Sequence, residues 1–267
     1  MKKLNIFFSY LCSFIVAILL FLLVIICILK FSVFNKEYLY KELAINNYYD
    51  NLEKDINEEI DSYIISSGFK KEITNNLYTK EEMIKDTNLF IDNYYNGKKT
   101  IFNKEKMYMS LEMNIRKIEE KDNLQILDSN NLHEFILDIV NIYQNEIRLY
   151  GLMDSFIPFF YKVAMLINKA FSVIAVLLLI FMLFIKLFIK KNFLASSIMS
   201  VGIILIIMRI FLYERIDIGN ILIITNNFSN ILNNILVKIG KIVYIISLEL
   251  LLIGIFLALK SVKQQAR

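Results

Sequence analysis

The sequence predicts an all-α integral membrane protein with four transmembrane helices and a helical extracytoplasmic domain inserted between spans 1 and 2. Hydrophobic residues make up 57% of the 267 residues, above the roughly 45–50% that is usual for soluble domains. They are concentrated in blocks long enough to cross a bilayer. Only 7 Gly and 1 Pro are present, which favours long helices over tight turns. Between the first two blocks, the apolar residues keep the spacing of amphipathic helices.

The first apolar block, Leu4–Leu29, contains 26 residues without a charge and follows a short basic leader at 1–3. A secretory signal has an apolar region of about 7–15 residues that ends in small residues, whereas this block is longer and has no A-x-A site. A lipoprotein signal needs a small residue before the modified cysteine, but leucine and isoleucine precede Cys12 and Cys27. The block covers about 39 Å as a helix, so we predict an uncleaved first span at 4–29.

The segment at 30–162 is predicted to form four amphipathic helices that bury a small shared core. The second of them begins at a capping box made by Thr79 and Glu82 and ends at Asn96-Gly97. The fourth begins near Asn131. The apolar stripes of the first, third and fourth helices are Ile45, Tyr49, Leu52, Ile56, Ile60 and Tyr63; Tyr108, Leu111, Ile115 and Ile118; and Leu132, Ile136, Ile139, Tyr143, Ile147 and Tyr150.

Three further spans follow this domain. We expect Pro158 to break or bend the chain before the second span. The second half of the segment between spans three and four has an amphipathic pattern, which predicts a helix lying on or just outside the membrane surface. The predicted segments are a second span at 163–188, a basic turn at 189–192, a third span at 193–213, an amphipathic loop or helix at 214–241, a fourth span at 242–259 and a tail at 260–267.

The distribution of charge predicts the orientation of the chain. The segment from Val33 to Lys162 has a net charge of −7, and the remainder has a net charge of +11. The two termini and the turn at 189–192 carry lysine and arginine but no acidic residue, as the positive-inside rule requires of cytoplasmic flanks. We therefore expect both termini in the cytoplasm and 30–162 outside the cell membrane. The basic excess belongs to membrane flanks, so it does not indicate nucleic-acid binding.

The sequence contains no pattern that indicates catalysis, a cofactor or a metal centre. Cys12 and Cys27 lie about 22 Å apart along one helix and cannot form an intrachain disulfide. The single histidine, His133, has no partner at motif spacing, and we interpret it as an ordinary exposed residue at a helix start. Adjacent carboxylates at Glu58-Glu59, Glu81-Glu82 and Glu119-Glu120 diverge on a helix and are interpreted as solvated faces.

Two charges lie inside predicted spans and form the main candidate site. Arg209 and Glu249 have opposite sign and lie on adjacent spans, and intramembrane charges usually face protein or water. We interpret them as a structural ion pair. Proton or ion handling by the pair is an alternative, as is extension of Arg209 alone to the membrane interface.

Small residues predict where the spans pack. Stripes of small residues allow close helix approach in lipid. Helix packing within the chain is the first interpretation and dimerisation is the alternative. The stripe on the fourth span consists of Gly240, Ser247, Gly254 and Ala258, and Gly202 lies on the third.

These observations predict a non-enzymatic multi-pass protein whose extracytoplasmic domain interacts with a partner protein, the cell envelope or a ligand. The expected partners are the lipid bilayer and a membrane protein or a second copy of the chain. One span, an outer domain and three more spans resemble FtsX-like permeases in layout, which implies a transporter or channel component as an alternative. A ligand sensor that signals through another protein is a further alternative.

Overall fold

The computed structural model describes residues 2–122, 129–148, 153–188, 192–215 and 226–265, and no strand occurs among them. Nine α-helices and one 3-10 turn make up the described parts. Their bounds are α1 Lys2–Phe31, α2 Lys36–Ile45, α3 Tyr48–Ser66, the 3-10 turn Lys71–Thr74, α4 Lys80–Tyr95, α5 Glu105–Asp122, α6 Ser129–Ile147, α7 Met153–Phe188, α8 Asn192–Arg215 and α9 Asn226–Gln265. The all-α prediction is confirmed.

Four of these helices are long and apolar enough to cross a membrane, as predicted. The stretches that qualify are Phe7–Phe31 in α1, Asp154–Ile185 in α7, Phe193–Phe211 in α8 and Phe228–Lys263 in α9. These four helices are therefore compatible with a multi-pass membrane protein. The chain folds into two compact units, which we describe separately.

The first unit, here called the span bundle, comprises Met1–Leu39, Lys162–Ile218 and Leu232–Arg267. Helix α1 contributes to two buried clusters among the described residues. Ala17 and Ile28 of α1 share one cluster with side chains of α8 and α9. Cys12 and Val16 of α1 share the other with side chains of α7. The first span is thus the helix that the other three pack around.

Contacts within the span bundle show the relative directions of its helices. Tyr10 and Ser13 of α1 contact Phe193 and Ser197 of α8 in ascending order, so α1 and α8 run parallel. Lys30 lies over the ring of Phe171, while Cys12 packs near Ile185, so α7 runs antiparallel to α1.

The last helix is also antiparallel to its neighbour. Gly202 of α8 contacts Ser247 of α9, and Gly254 contacts Ala195. The four helices therefore alternate in direction, as four consecutive crossings of a bilayer require. The N-terminus of α1 and the C-terminus of α9 lie at the same end of the span bundle.

The second unit, here called the helical unit, comprises Tyr40–Tyr161 and Gly219–Ile231. Its core is formed by large apolar side chains from its successive helices. Leu43, Ile56, Ile73, Met83, Phe90, Ile91, Leu111, Ile115, Ile136 and Ile139 are at most 1% exposed. The four predicted amphipathic helices correspond to α3, α4, α5 and α6. Most of α2, the 3-10 turn and the starts of α7 and α9 complete the described part of the unit.

The buried stripe of α3 differs from the predicted one at its ends. Tyr48, Leu52, Ile56, Ile60 and Ile64 are buried, so the stripe advances four residues at a time from Tyr48. The predicted Ile45 belongs to α2 instead, because Asn47 takes a left-handed conformation with φ of 51° and separates the two helices. Both Tyr48 and Tyr49 fit an apolar stripe whose members are three or four residues apart, so the spacing could not predict which of them faces the core.

Both predicted signals that delimit α4 are confirmed. Thr79 accepts a hydrogen bond from the backbone N–H of Glu82, and the Glu82 carboxylate accepts one from the N–H of Thr79. At the other end Gly97 has φ of +72°, and a Cβ there would lie 2.8 Å from Cγ of Tyr161. Glycine is therefore required both by the backbone conformation and by the close ring.

Two long helices differ from the prediction. Helix α7 begins at Met153 and contains Pro158 in its second turn, so the proline does not end the helix there. Helix α9 joins the predicted surface helix to the fourth span without a break. The helix is continuous because the amphipathic spacing leads directly into the apolar run and no proline interrupts it. Phe228 and Ile231 near its start are buried in the helical unit.

Some predicted features lie outside the described residues. They are the basic turn except for Asn192, the polar part of the 214–241 segment from 216 to 225, Tyr150 of the fourth stripe, and the last two residues of the tail.

Candidate functional site

Arg209 lies in the apolar part of α8 and interacts with an aromatic ring on α9. Its guanidinium carbon is 4.5 Å from the centroid of the Tyr244 ring. A cation over the face of a tyrosine is attracted by the ring quadrupole, more strongly where water is excluded. The arginine therefore has a partner inside the bundle, although it is not the partner that the charge pattern suggests.

Glu249 lies five residues beyond Tyr244 on α9, which is about 7.5 Å along the helix axis. Its side chain is exposed on the surface of the chain. Among the described side chains, no ion pair joins it to Arg209. The structure therefore does not bring the two charged residues together, and a functional role for either one stays a prediction.

The predicted small-residue contacts lie between α8 and α9. A Cβ at Gly202 would lie 2.9 Å from the backbone oxygen of Ser247. A Cβ at Gly254 would overlap Cγ of Met199 and would lie 3.2 Å from the backbone oxygen of Ala195. Ser247 is fully buried, whereas Gly240 has no atom within 4 Å of its hypothetical Cβ, and Ala258 is partly exposed.

Two serines form a polar contact within the span bundle that has no sequence motif. The Ser13 and Ser197 hydroxyls are 2.8 Å apart, and Ser197 Oγ also donates to the backbone oxygen of Ser13 at 2.8 Å. Ser13 Oγ donates to the backbone oxygen of Phe193 at 3.0 Å. Hydrogen bonds of this kind join spans in lipid, so the contact fixes α1 against α8.

The helical unit contains a cavity of about 230 Å³ with both apolar and polar walls. It lies among α4, α5, α6 and the segments that lead into α4 and α5. Its apolar lining consists of Leu77, Phe102, Met107 and Val140, and its polar lining consists of Tyr78, Glu82, Lys85, Asp86, Asn103, Lys104, Lys106, Tyr143 and Gln144. None of these residues was a sequence-predicted site residue.

The charged groups of the cavity differ in their partners. Glu82 forms an ion pair with Lys106, and this lysine together with the capping hydrogen bond lowers the pKa of Glu82. Asp86 is half-buried and accepts a hydrogen bond from the Tyr143 hydroxyl at 3.1 Å. Burial raises the pKa of Asp86, although the hydrogen bond from Tyr143 opposes the shift.

Gln144 is the most deeply buried polar residue of the cavity lining, with 4% of its surface exposed. Its side-chain amide forms no hydrogen bond with any described residue, although its carbonyl and amino groups can make up to four. Buried polar side chains usually have a partner. An amide that faces a cavity without one is a candidate contact for a bound molecule.

No spacing rule could have found this cavity, because its residues come from three parts of the chain that only the fold brings together. Asp86 and Tyr143 lie 57 positions apart. The residues that the charge pattern did suggest, Arg209 and Glu249, lie in the other unit. The chain matches no known family model, no curated protein and no solved structure.

His133 remains outside both candidate sites. Its Nδ1 is 2.7 Å from the Tyr108 hydroxyl, at the exposed contact between α5 and α6. The described residues contain no group of His, Cys, Asp and Glu that could hold a metal ion.

A carboxyl pair between α3 and α6 makes the stability of the helical unit depend on pH. Burial raises the pKa of Glu146 to about 7, and a hydrogen bond to Glu59 and the negative charges of Glu59 and Asp55 add to the shift. The folded unit therefore takes up a proton between pH 4.5, the ordinary pKa of glutamate, and about 7. Stability falls as the pH rises through this range, because the unfolded state binds fewer protons there.

We expect Glu146→Gln to remove most of this dependence. The amide can donate to Glu59 as the protonated acid does, but it cannot ionise. The variant should show a higher melting temperature than the wild type at mildly alkaline pH and a smaller difference between acidic and alkaline conditions. Glu134→Gln, at an exposed position of the same helix, is the control and should keep the wild-type pH profile; equal profiles for all three proteins would contradict the assignment.

Proposed function

We propose that this protein is a non-enzymatic multi-pass membrane protein whose helical unit lies on the extracytoplasmic side and binds a partner or ligand there. The observation that carries the proposal is the separate helical unit itself. It has its own buried core, and Tyr40–Tyr161 connects two candidate spans, α1 and α7. Such a unit is tethered to the membrane at both of its ends.

Charge supports the proposed side of the membrane. The segment from Val33 to Lys162 carries −7, while the two termini and the turn at 189–192 carry basic residues and no acidic residue. The positive-inside rule then assigns both termini to the cytoplasm. The alternation of helix directions in the span bundle agrees with the two termini being on one side.

Glu249 supports a protein contact within the membrane as well. It is exposed between apolar neighbours of α9, and Ile245, Leu252, Ile253 and Phe256 are also exposed. A lipid-facing carboxylate near the middle of a span costs about 2.5–3.5 kcal/mol on insertion scales. A neighbouring membrane protein or a second copy with a hydrogen-bond donor at this level would offset that cost.

A ligand sensor is the second candidate function, because the cavity at Gln144 provides a site of the required kind. A sensor of this type would pass its signal through the spans to another protein. The transporter alternative has no comparable observation in its favour.

Co-purification of the full chain from mild detergent tests the proposal. We expect a specific protein, or a second copy detected by a second tag, to be recovered with the wild type. Recovery should be weaker for Glu249→Gln, and unchanged for the control Glu134→Gln. Recovery of the protein alone under every growth condition would contradict a partner-binding role.

A further inference from the structure

The cavity in the helical unit has features that define the chemistry of a ligand. We propose that it binds a small zwitterion, an α-amino acid with an apolar side chain. The proposal deepens the proposed function, because it names the ligand class of the helical unit and rests on that unit being a binding domain.

Asp86 supplies the group that would receive the ammonium. One of its oxygens, Oδ2, accepts the Tyr143 hydroxyl at 3.1 Å, and the other has no hydrogen bond with a described residue. No Lys or Arg among the described residues lies within ion-pair distance of it. Lys85 lowers the pKa of Asp86 through its charge but makes no ion pair with it. A half-buried carboxylate without a direct ion pair is costly, and an ammonium in the cavity would reduce that cost.

Two lysines supply the positive charge that would bind the carboxylate of the ligand. Lys85 and Lys104 line the cavity and form no ion pair with a described carboxylate, in contrast to Lys106, which pairs with Glu82. The Lys104 ammonium donates to Asn141 Oδ1 at 3.2 Å and retains further donors. These two groups can bind a carboxylate while Asp86 binds the ammonium.

Gln144 and the apolar wall define the rest of the ligand. The unpartnered amide of Gln144 can donate to the carboxylate of the ligand or accept from its ammonium. Leu77, Phe102, Met107 and Val140, each at most 6% exposed, would surround an apolar side chain.

The size of the cavity limits the ligand. A volume of about 230 Å³ is below the roughly 300–1,000 Å³ of pockets for drug-sized molecules. Inorganic phosphate would be attracted by Lys85 and Lys104 but repelled by Asp86. An anion without a positive group would therefore interact favourably with only part of the site.

Calorimetric titration of the full chain in lipid nanodiscs tests this inference. The probes are L-leucine, L-valine and L-methionine, each compared with its decarboxylated amine and its deaminated acid. We expect at least one amino acid to bind, and each of its analogues to bind about tenfold more weakly or worse, because each analogue loses one charge-assisted contact. Absence of binding by all three amino acids would overturn the proposal, as would a deaminated acid that binds as tightly as its parent.

Two variants assign the contacts. Asp86→Asn keeps an acceptor for the Tyr143 hydroxyl but removes the charge, so it should abolish the preference for the amino acid over its deaminated acid. Glu81→Gln lies on the same helix outside the cavity and should bind as the wild type does. A preference that survives in Asp86→Asn would refute the assigned role of the carboxylate. Circular dichroism establishes that both variants are folded, and the wild-type comparison of probes needs no variant.

The titration separates this inference from the proposed function. Binding to purified protein does not depend on the side of the membrane on which the helical unit lies. A protein that co-purifies with a partner but binds no amino acid would overturn only the ligand assignment.

Discussion

Replacement of Ile56 by alanine should destabilise the helical unit by about 2–5 kcal/mol, the range for isoleucine truncations in well-packed cores. Ile56 lies in the middle of the buried stripe of α3 and is 0% exposed. Truncation removes apolar surface from the core and leaves a cavity, because α3 is held against α6 along the same stripe and cannot collapse into the space.

Thermal unfolding followed by circular dichroism of the full chain in detergent measures the effect. Ile65→Ala is the matched control, because Ile65 lies on the same helix but is 56% exposed. We expect Ile56→Ala to lower the melting temperature of the helical unit strongly and Ile65→Ala to leave it nearly unchanged. Equal shifts for the two variants would show that the stripe is not the core of the unit.

Gly202→Ala should destabilise the span bundle by about 1–3 kcal/mol, as overpacking of a close contact does. The added Cβ would lie 2.9 Å from the backbone oxygen of Ser247. A backbone oxygen within a helix cannot rotate away as a side chain can, so α8 and α9 would have to separate along their contact.

Gly240→Ala provides the control for this change. It lies on α9 with no atom within 4 Å of the new Cβ, and alanine is the better helix former. We expect the control to melt at or above the wild-type temperature and Gly202→Ala to melt below it. If both variants retained wild-type stability and only cross-linking between two copies were lost, the glycine would serve dimerisation and not packing within the chain.

The sequence predicted the four spans because their signal is strong and local. A charge-free block such as Leu4–Leu29 can be recognised from its composition alone, and the capping box at Thr79 can be recognised from two residues three positions apart. The sequence was less informative about which face of α3 is buried. Tyr48 and Tyr49 are adjacent and chemically identical, and the structure buries Tyr48.

The partner of Arg209 could not be inferred from charge. A cation inside a span suggests an anion, and Glu249 was the one acidic residue inside the predicted spans. The antiparallel register set by the Gly202 and Gly254 contacts instead places Tyr244 against the guanidinium. A tyrosine carries no formal charge, so a pattern of charges cannot reveal this contact.

The cavity was beyond sequence reasoning for a different reason. Asp86 follows a lysine on an amphipathic helix, and Gln144 stands between Tyr143 and Asn145 on another. Each has an ordinary explanation as a surface or boundary residue. Only their approach in three dimensions, between α4 and α6, shows that an amide without a hydrogen-bond partner and a carboxylate without an ion pair share one space.

Labelling of single cysteines in whole cells tests whether the helical unit lies on the extracytoplasmic side of the membrane while the termini lie in the cytoplasm. Cys12 and Cys27 are first replaced by serine, and Lys98→Cys or Lys263→Cys is then introduced, since both lysines are exposed. A membrane-impermeant maleimide should label the cysteine at 98 in intact cells and the cysteine at 263 only after permeabilisation. Labelling at 98 only after permeabilisation, with labelling at 263 in intact cells, would contradict this membrane topology.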